Sequence, residues 1–315
     1  MTLKKFINRI LQMLLVLLGI SFLTFMLTYL APGDPATAMF SAAGVTPKPE
    51  QLEAVRVSMG LDKPFFVQYM TWLTNCLHGD FGTSFSNKNL VLNQIMGRLG
   101  ATVKLSFLSM GIMLIISIPL GVISAVKENK WCDNLIRVLN FMGISMPGFW
   151  LGLLLQYVFA INLKLLPVAS QGMGLNKMIL PSITLAVAMT SKYTRQVRAA
   201  VLDELSMDYV VGAKARGIRF STTLWGSVMK ASLVTIITLL MLSVGSLLGG
   251  TAIVESIFMW DGVGKMAVDA ISMRDYPIIQ AYVMWMAIIY VAANLLTDIS
   301  YRFLDPRIRL GGDEA

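Results

Sequence analysis

Hydrophobic residues run along this chain in long, nearly unbroken stretches separated by short polar intervals. Six stretches, about 9–30, 101–126, 135–160, 178–200, 231–254 and 278–303, are long enough to cross a bilayer. An apolar core about 30 Å thick needs roughly 20 residues of helix. The stretches are too long and too free of turn signals for buried strands. Backbone amides in lipid must be satisfied within the segment, so the pattern predicts helices. The fourth stretch is the most charged, with Lys192, Arg195 and Arg198 crowding its end. The pattern therefore predicts an all-α integral membrane protein of six transmembrane helices. Residues 1–30 hold the N-terminus and first span, 31–100 form a long segment with short helices, and 101–315 form the membrane core, with a polar loop at 201–232.

Charge orients this pattern. Hydrophobic residues make up 56% of the chain and charged residues 14%, against about 25% charged in ordinary soluble domains. Mean hydropathy is +0.67. Lys4, Lys5 and Arg9 before the first stretch imitate a signal peptide, but the apolar run from Ile10 to Leu30 exceeds the h-region length of about 7–15 residues. An uncleaved first span is the better reading. Six spans put both termini on one side. Of the 26 Lys and Arg, sixteen fall on that side and nine on the other, most of the nine in the long segment, with Lys104 near a boundary. Cytoplasmic loops carry the excess, so both termini are expected in the cytoplasm. This bias also explains the net charge of +8. A nucleic-acid partner is excluded, because the basic residues are scattered at span ends.

Several local signals stand out. Pro32-Gly33-Asp34-Pro35 ends the first span. Pro49 with Glu50 and Glu53, closed by Gly60, predicts one short helix; Pro64 to Leu77, stopped by Gly79, predicts another. The second carries Phe65, Phe66, Tyr69, Met70, Trp72 and Leu73, which suits either packing on the outer ends of the spans or docking of an external partner. Ser145-Met146-Pro147-Gly148 interrupts the third stretch as a kink that lines a cavity or eases packing. Ser243, Gly245, Ser246, Gly249, Gly250 and Thr251 make the fifth stretch small-sided, for close helix packing or for a water-filled path. The 22 methionines are read mostly as apolar filler.

No catalytic constellation is present. One His, His78, leaves no Ser-His or Cys-His pair and is expected at the surface. Gly262-Val263-Gly264-Lys265 brushes against a phosphate loop, but Met259 and Met266 break the pattern; it is read as a tight turn. Cys76 and Cys132 are expected on opposite sides of the membrane, and neither has metal-ligand spacing. Charges inside the spans are scarce. Asp298 pairs with Arg302 one turn on. The chain thus lacks an enzyme site and an obvious ion-coupling site, so the energy for any transport comes from elsewhere.

That leaves the charged island at 203–230. Asp203, Glu204 and Asp208 suit a helix N-terminus. Ala213 and Gly217 are four apart and are expected on one helical face that lies flat in a partner's groove, with Lys214, Arg216 and Arg219 around the rim. A solvated loop with a short interfacial helix is the alternative.

The island resembles the cytoplasmic loop of permease subunits of ABC importers. Gly217 stands at the family glycine and Ala213 at the second alanine, while Gly212 replaces the first alanine and Val211 the usual glutamate. The chain is similar to the peptide/nickel subfamily from end to end. The stretches that carry this are Pro32-Gly33-Asp34-Pro35, Gly60-Leu61-Asp62-Lys63-Pro64, Gly79-Asp80-Phe81-Gly82, Ser145-Met146-Pro147, Glu255-Ser256-Ile257-Phe258, Gly262-Val263-Gly264, Arg274-Asp275-Tyr276-Pro277 and Asp305-Pro306-Arg307-Ile308-Arg309.

The resemblance implies the type I importer permease fold in a bacterial or archaeal cytoplasmic (inner) membrane. It implies half of a pathway for peptides, nickel or other metal chelates, or a related solute. The implied partners are a second, homologous permease, two ATPase subunits that carry ATP and Mg, an external solute-binding protein and the lipid bilayer; this chain binds no cofactor. Asp208, Tyr209, Ala213, Lys214, Arg216 and Gly217 would couple to the ATPase. Ser145, Pro147, Gly249, Gly250, Glu255, Arg274 and Asp275 would line the pathway or its external gate, with Glu255 at the cavity mouth and Asp275 as gate or as a cap stapled to Arg274 or nearby backbone. The rival readings are an ion-coupled secondary transporter and a membrane scaffold that transports nothing.

Overall fold

The computed structural model describes residues 3–42, 44–172 and 174–304. The elements run α1 (Leu3–Leu30), α2 (Pro35–Ala42), α3 (Pro49–Ser58), α4 (Phe65–Leu77), α5 (Val91–Val126) and α6 (Trp131–Ser145). Then come α7 (Gly148–Leu155), extended by π-helical turns over Gln156–Asn162, α8 (Leu175–Leu205) and α9 (Asp208–Ala215). The chain closes with α10 (Phe220–Thr223), joined through π turns at Leu224–Val228 to α11 (Met229–Ile257), then α12 (Val263–Met273) and α13 (Tyr276–Leu304). Thr83 and Leu90 form an isolated antiparallel bridge.

Among the described residues, four helices are long and apolar enough to cross a membrane: Ile7–Leu30, Val91–Val126, Phe220–Gly245 and Tyr276–Thr297. The pair α6–α7 makes a fifth if its halves are one span, bent by 99° at Ser145–Pro147. The expected kink is thus a sharp break. The remaining expected span, 178–200, lies in α8, whose 31 residues reach about 46 Å. That helix is long enough but not apolar enough. Its buried residues include Ser182, Thr184, Thr190, Ser191 and Thr194, and it packs against α6, α7 and α11. A helix jacketed by other helices turns its polar groups to protein rather than to lipid. The side chains of Asp298 and Arg302, and the closing stretch 305–309, lie outside the described residues.

The chain divides into two compact units, Met1–Thr102 with Asp261–Val291, and Val103–Trp260 with Ala292–Ala315. In the first, Val91 and Ile95 of α5 pack with Val263, Met266 and Ala270 of α12 and Ile278 and Ala281 of α13. The predicted short helices form α3 and α4. Phe65, Tyr69 and Trp72 of α4 interlock edge-to-face or tilted with Phe22, Phe25 and Tyr29 of α1. Ser21 Oγ and the Tyr69 hydroxyl hydrogen-bond at 2.8 Å. Packing on a span therefore accounts for one face of α4, while Phe66 and Met70 stay exposed. His78 caps α4 at the surface. Gly262 is no tight turn: it caps α12, and the Val263 N–H donates to Thr102 Oγ1 at 2.9 Å.

In the second unit, Val122 and Ala125 of α5 and Val197 and Val201 of α8 pack with Leu224, Val228, Met229 and Ile236. Tyr193 of α8 donates its hydroxyl to the Leu239 carbonyl. Close approach depends on glycines: a Cβ on Gly121 would come within 2.6 Å of Val197 Cβ, and one on Gly143 within 2.0 Å of Ser191 Oγ. Overpacked sites cost about 1–3 kcal/mol. Gly121→Ala should therefore lower the thermal stability of detergent-solubilised protein by about that much. Gly111→Ala, on the same helix with nothing within 4 Å of the new methyl, should not lower it. Equal effects in circular-dichroism melts would refute this packing account.

Candidate functional site

Within the loop 201–232, α8 runs on to Leu205 and α10 starts at Phe220. What remains is α9 between two turns. Asp208 opens α9 and is exposed, where the free N–H groups of the first turn favour an anion. The Tyr209 hydroxyl donates to Glu204 Oε2 at 2.9 Å. Partial burial and this carboxylate push the phenol up to about 12.

The end of α9 is a two-bond glycine cap. The Gly217 N–H donates to the Lys214 carbonyl at 3.0 Å and the Ile218 N–H to the Ala213 carbonyl at 3.1 Å. Gly217 sits at φ +72°, the left-handed conformation such a cap demands and glycine supplies without strain. This corrects the expected small-residue face. Ala213 is buried at 6% exposure, turned into its own unit, and Gly217 lies past the last helical residue. The outward surface is different: Lys214, Arg216 and every residue from 214 to 222 are exposed, as are Met207, Tyr209, Val211, Ile218 and Phe220.

Against α8 lies a residue that the sequence patterns missed. Asp133, in the first turn of α6, is fully buried. Arg198 of α8 grips it with two bonds, Nε to Oδ1 at 2.8 Å and Nη2 to Oδ2 at 2.7 Å. Ser124 of α5 donates to Oδ1 at 2.5 Å, and the Asn129 N–H of the α5–α6 turn donates to Oδ2 at 2.9 Å. The only sequence signal was an acid in the first turn of a helix, too common to single it out.

The expected pathway residues fall in both units. Ser145 and Pro147 flank the 99° bend and are exposed. Gly249 and Gly250 lie in α11, but their surroundings fall outside the described residues. Glu255 does not stand at an open mouth: it is fully buried, near the end of α11.

In the other unit, Asp275 and Arg274 join α12 to α13. Asp275 is buried at 1% exposure and accepts four bonds from one turn. These come from Ser84 Oγ at 2.5 Å, Ser86 Oγ at 3.1 Å, the Phe85 N–H at 3.1 Å and the Ser86 N–H at 3.2 Å. The cap geometry is thus present, but its partner is the turn 84–86 rather than Arg274. Arg274, at φ 56°, lies against Gly33, where a Cβ would come within 2.5 Å of Nη1.

These contacts frame a cleft of about 840 Å³. Its walls include Gly33, Asp34 and Pro35, then Gly60, Leu61 and Lys63, then Gly82 and Thr83, and Tyr276 and Pro277. Four stretches that are dispersed in sequence meet there. Arg56, Lys63 and Lys88 outnumber Asp34 in the lining, and Arg56 stands 3.7 Å from Asp34. Gln280 braces the wall by donating to Thr28 Oγ1 at 2.6 Å.

Residues 117–310 match the family described as "Binding-protein-dependent transport system inner membrane component", and residues 2–106 match its N-terminal companion, "Binding-prot-dependent transport system membrane comp, N-term". The chain is 38% identical over 307 residues to the glutathione transport system permease protein GsiC of Pectobacterium atrosepticum, covering 98% of this chain and 99% of that protein. It is 37% identical to the oligopeptide transport system permease protein AppB of Bacillus subtilis, covering 96% and 98%. Among solved structures, an inward-facing form of the MetNI methionine ABC transporter is similar in fold. Its TM-score is 0.57 at 16% identity, with 67% of this chain and 96% of that chain covered.

Asp275→Ala should leave the Phe85 and Ser86 amides without their acceptor. Lost bonds to a buried carboxylate cost about 1.5–3 kcal/mol each. Hydrogen exchange at those two amides should speed up at least tenfold, with proteolysis rising at 84–88. Unchanged exchange would show that the turn holds itself.

Proposed function

The chain belongs to the family of inner-membrane components of binding-protein-dependent transport systems, and from that premise we propose how its two exposed regions divide the work of import. It is the multi-pass permease subunit of an ABC importer and is not itself an enzyme. In our reading it forms half of the pathway beside a second, homologous permease, and one of two ATPase subunits, which carry ATP and Mg, docks on the α9 surface. The relatives' named solutes, glutathione and oligopeptides, favour the peptide branch of the substrate class over nickel or metal chelates. Both termini and α9 face the cytoplasm, and the long segment 31–100 is external, where the solute-binding protein docks.

One observation carries the ATPase contact. The exposed run 214–222, with Val211, Ile218 and Phe220 beside Lys214 and Arg216, follows a helix whose Ala213 side is anchored in the core. A supported helix with a mixed apolar and cationic outer face has the form of an interface centre and rim.

Lys214→Glu combined with Arg216→Glu alters only exposed side chains. It should lower both ATPase co-purification and uptake at least tenfold while the permease still inserts. Normal co-purification and uptake would remove α9 as the contact. Orientation has its own check. An impermeant maleimide should reach Cys132 only after the membrane is opened from the cytoplasmic side. Burial, and secondarily Asp80, push the Cys76 thiol up to about 12. Only the thiolate reacts, so Cys76 should label slowly from outside at pH 7–8 and faster as pH rises. Labelling of Cys132 from outside would reverse the topology.

A further inference from the structure

We propose that the Asp133–Arg198 clasp positions the coupling machinery: it makes α6 and α8 one body, so that displacement of α9 reaches the break at Ser145–Pro147. The proposal rests on α9 being the ATPase contact. Asp133 draws its four donors from three places, α5, the α5–α6 turn and α8, so one carboxylate ties three chain segments together at one level. The carboxylate is fully buried, while Arg198 is one-fifth exposed.

A second fixed point lies further along the same two helices, where Gly143 of α6 meets Ser191 of α8 with no room for a methyl group. Residues 133 and 143 are about 15 Å apart along α6, and 198 and 191 about 10 Å apart along α8. Two separated contacts, one ionic and one steric, block both sliding and rotation. Gly121 of α5, pressed on Val197, adds a third helix to the block.

The two ends of this body are the places that matter. Beyond Arg198, α8 continues without interruption to Leu205, and only Ser206 and Met207 separate it from α9. Beyond Gly143, α6 ends within two residues, at Ser145, where the helix turns by 99°. A push on α9 therefore has little slack to absorb it before the bend. The planar guanidinium fork supplies direction as well as attraction, which a lysine at the same charge does not.

The test uses the complete complex in proteoliposomes and reads solute imported per ATP hydrolysed. Arg198→Lys keeps the charge and loses the fork; Asp133→Asn keeps the shape and loses the charge. The expected result is normal assembly, ATPase activity retained, and a ratio reduced at least fivefold in both. An unchanged ratio overturns the proposal. So does uptake that falls only in step with ATPase and assembled complex, or loss of assembly in both variants, since each marks a purely structural role. If one variant fails to assemble, the other decides. Photocrosslinking from position 211 to the ATPase in the unsubstituted complex separates the two claims. Without a crosslink the α9 contact fails and the clasp proposal falls with it; with a crosslink and an unchanged ratio, the clasp alone fails.

Discussion

A carboxylate taken out of water keeps its charge only where donors replace the lost hydration, and each unit of this protein holds a buried aspartate met in that way. Asp133 is held by Ser124, Asn129 and Arg198; Asp275 is held by Ser84, Phe85 and Ser86. In both cases the aspartate meets a donor remote in sequence, Arg198 for Asp133 and the turn 84–86 for Asp275, which no local preference would bring to it. An isolated buried charge is prohibitively costly, so the fold that brings the donors in is also the fold that lets the acid stay. Apolar packing around these centres, such as Val122 with Val197 or Val91 with Ile278, supplies burial but no comparable selectivity for one register.

Lipid imposes the complementary constraint. Outward faces must be apolar, as Phe107, Ile115 and Phe141 are in the isolated chain, so polar groups gather on helices that other helices surround. This is why α8 carries its serines and threonines inward and fails the apolarity expected of a lipid-facing span. It also explains the glycines at 121 and 143. Without a hydrophobic driving force between helices in lipid, close packing and polar contacts must hold them, and both require side chains that leave room.

Local signals told the truth about local structure. Pro49 with Gly60, and Pro64 with Gly79, delimited α3 and α4 because proline and glycine act on their own backbone. The island was legible as a helix for the same reason. The errors arose where partners are remote or where a helix ends. Ala213 and Gly217 share a face only if the helix continues through both, and the glycine cap stops it between them. Gly262-Val263-Gly264 looked like a turn because the sequence does not show that Thr102 waits to accept the Val263 N–H. Glu255 follows a run of small residues and so suggested an open mouth, while burial is a property of the whole unit. The partner of Asp275 lies 191 residues away, beyond any periodicity.

The energetics of ion pairs rank the joints that can pass on movement. Arg98–Asp261 and Lys265–Asp269 are partly exposed, and such pairs contribute about 0–1 kcal/mol. They can be made or lost with little effect on the helices that carry them. Asp133–Arg198 is bidentate, with its carboxylate fully buried, and such forked charge-assisted pairs are stronger and more directional, so this joint yields less readily than the others. A subunit that holds no ATP chemistry of its own can use hydrolysis only by transmitting displacement. Transmission asks for exposed ends and an unyielding middle. In this unit the exposed ends are the run from 214 to 222 and the bend at Ser145–Pro147, and the middle holds the Asp133 carboxylate with its four donors.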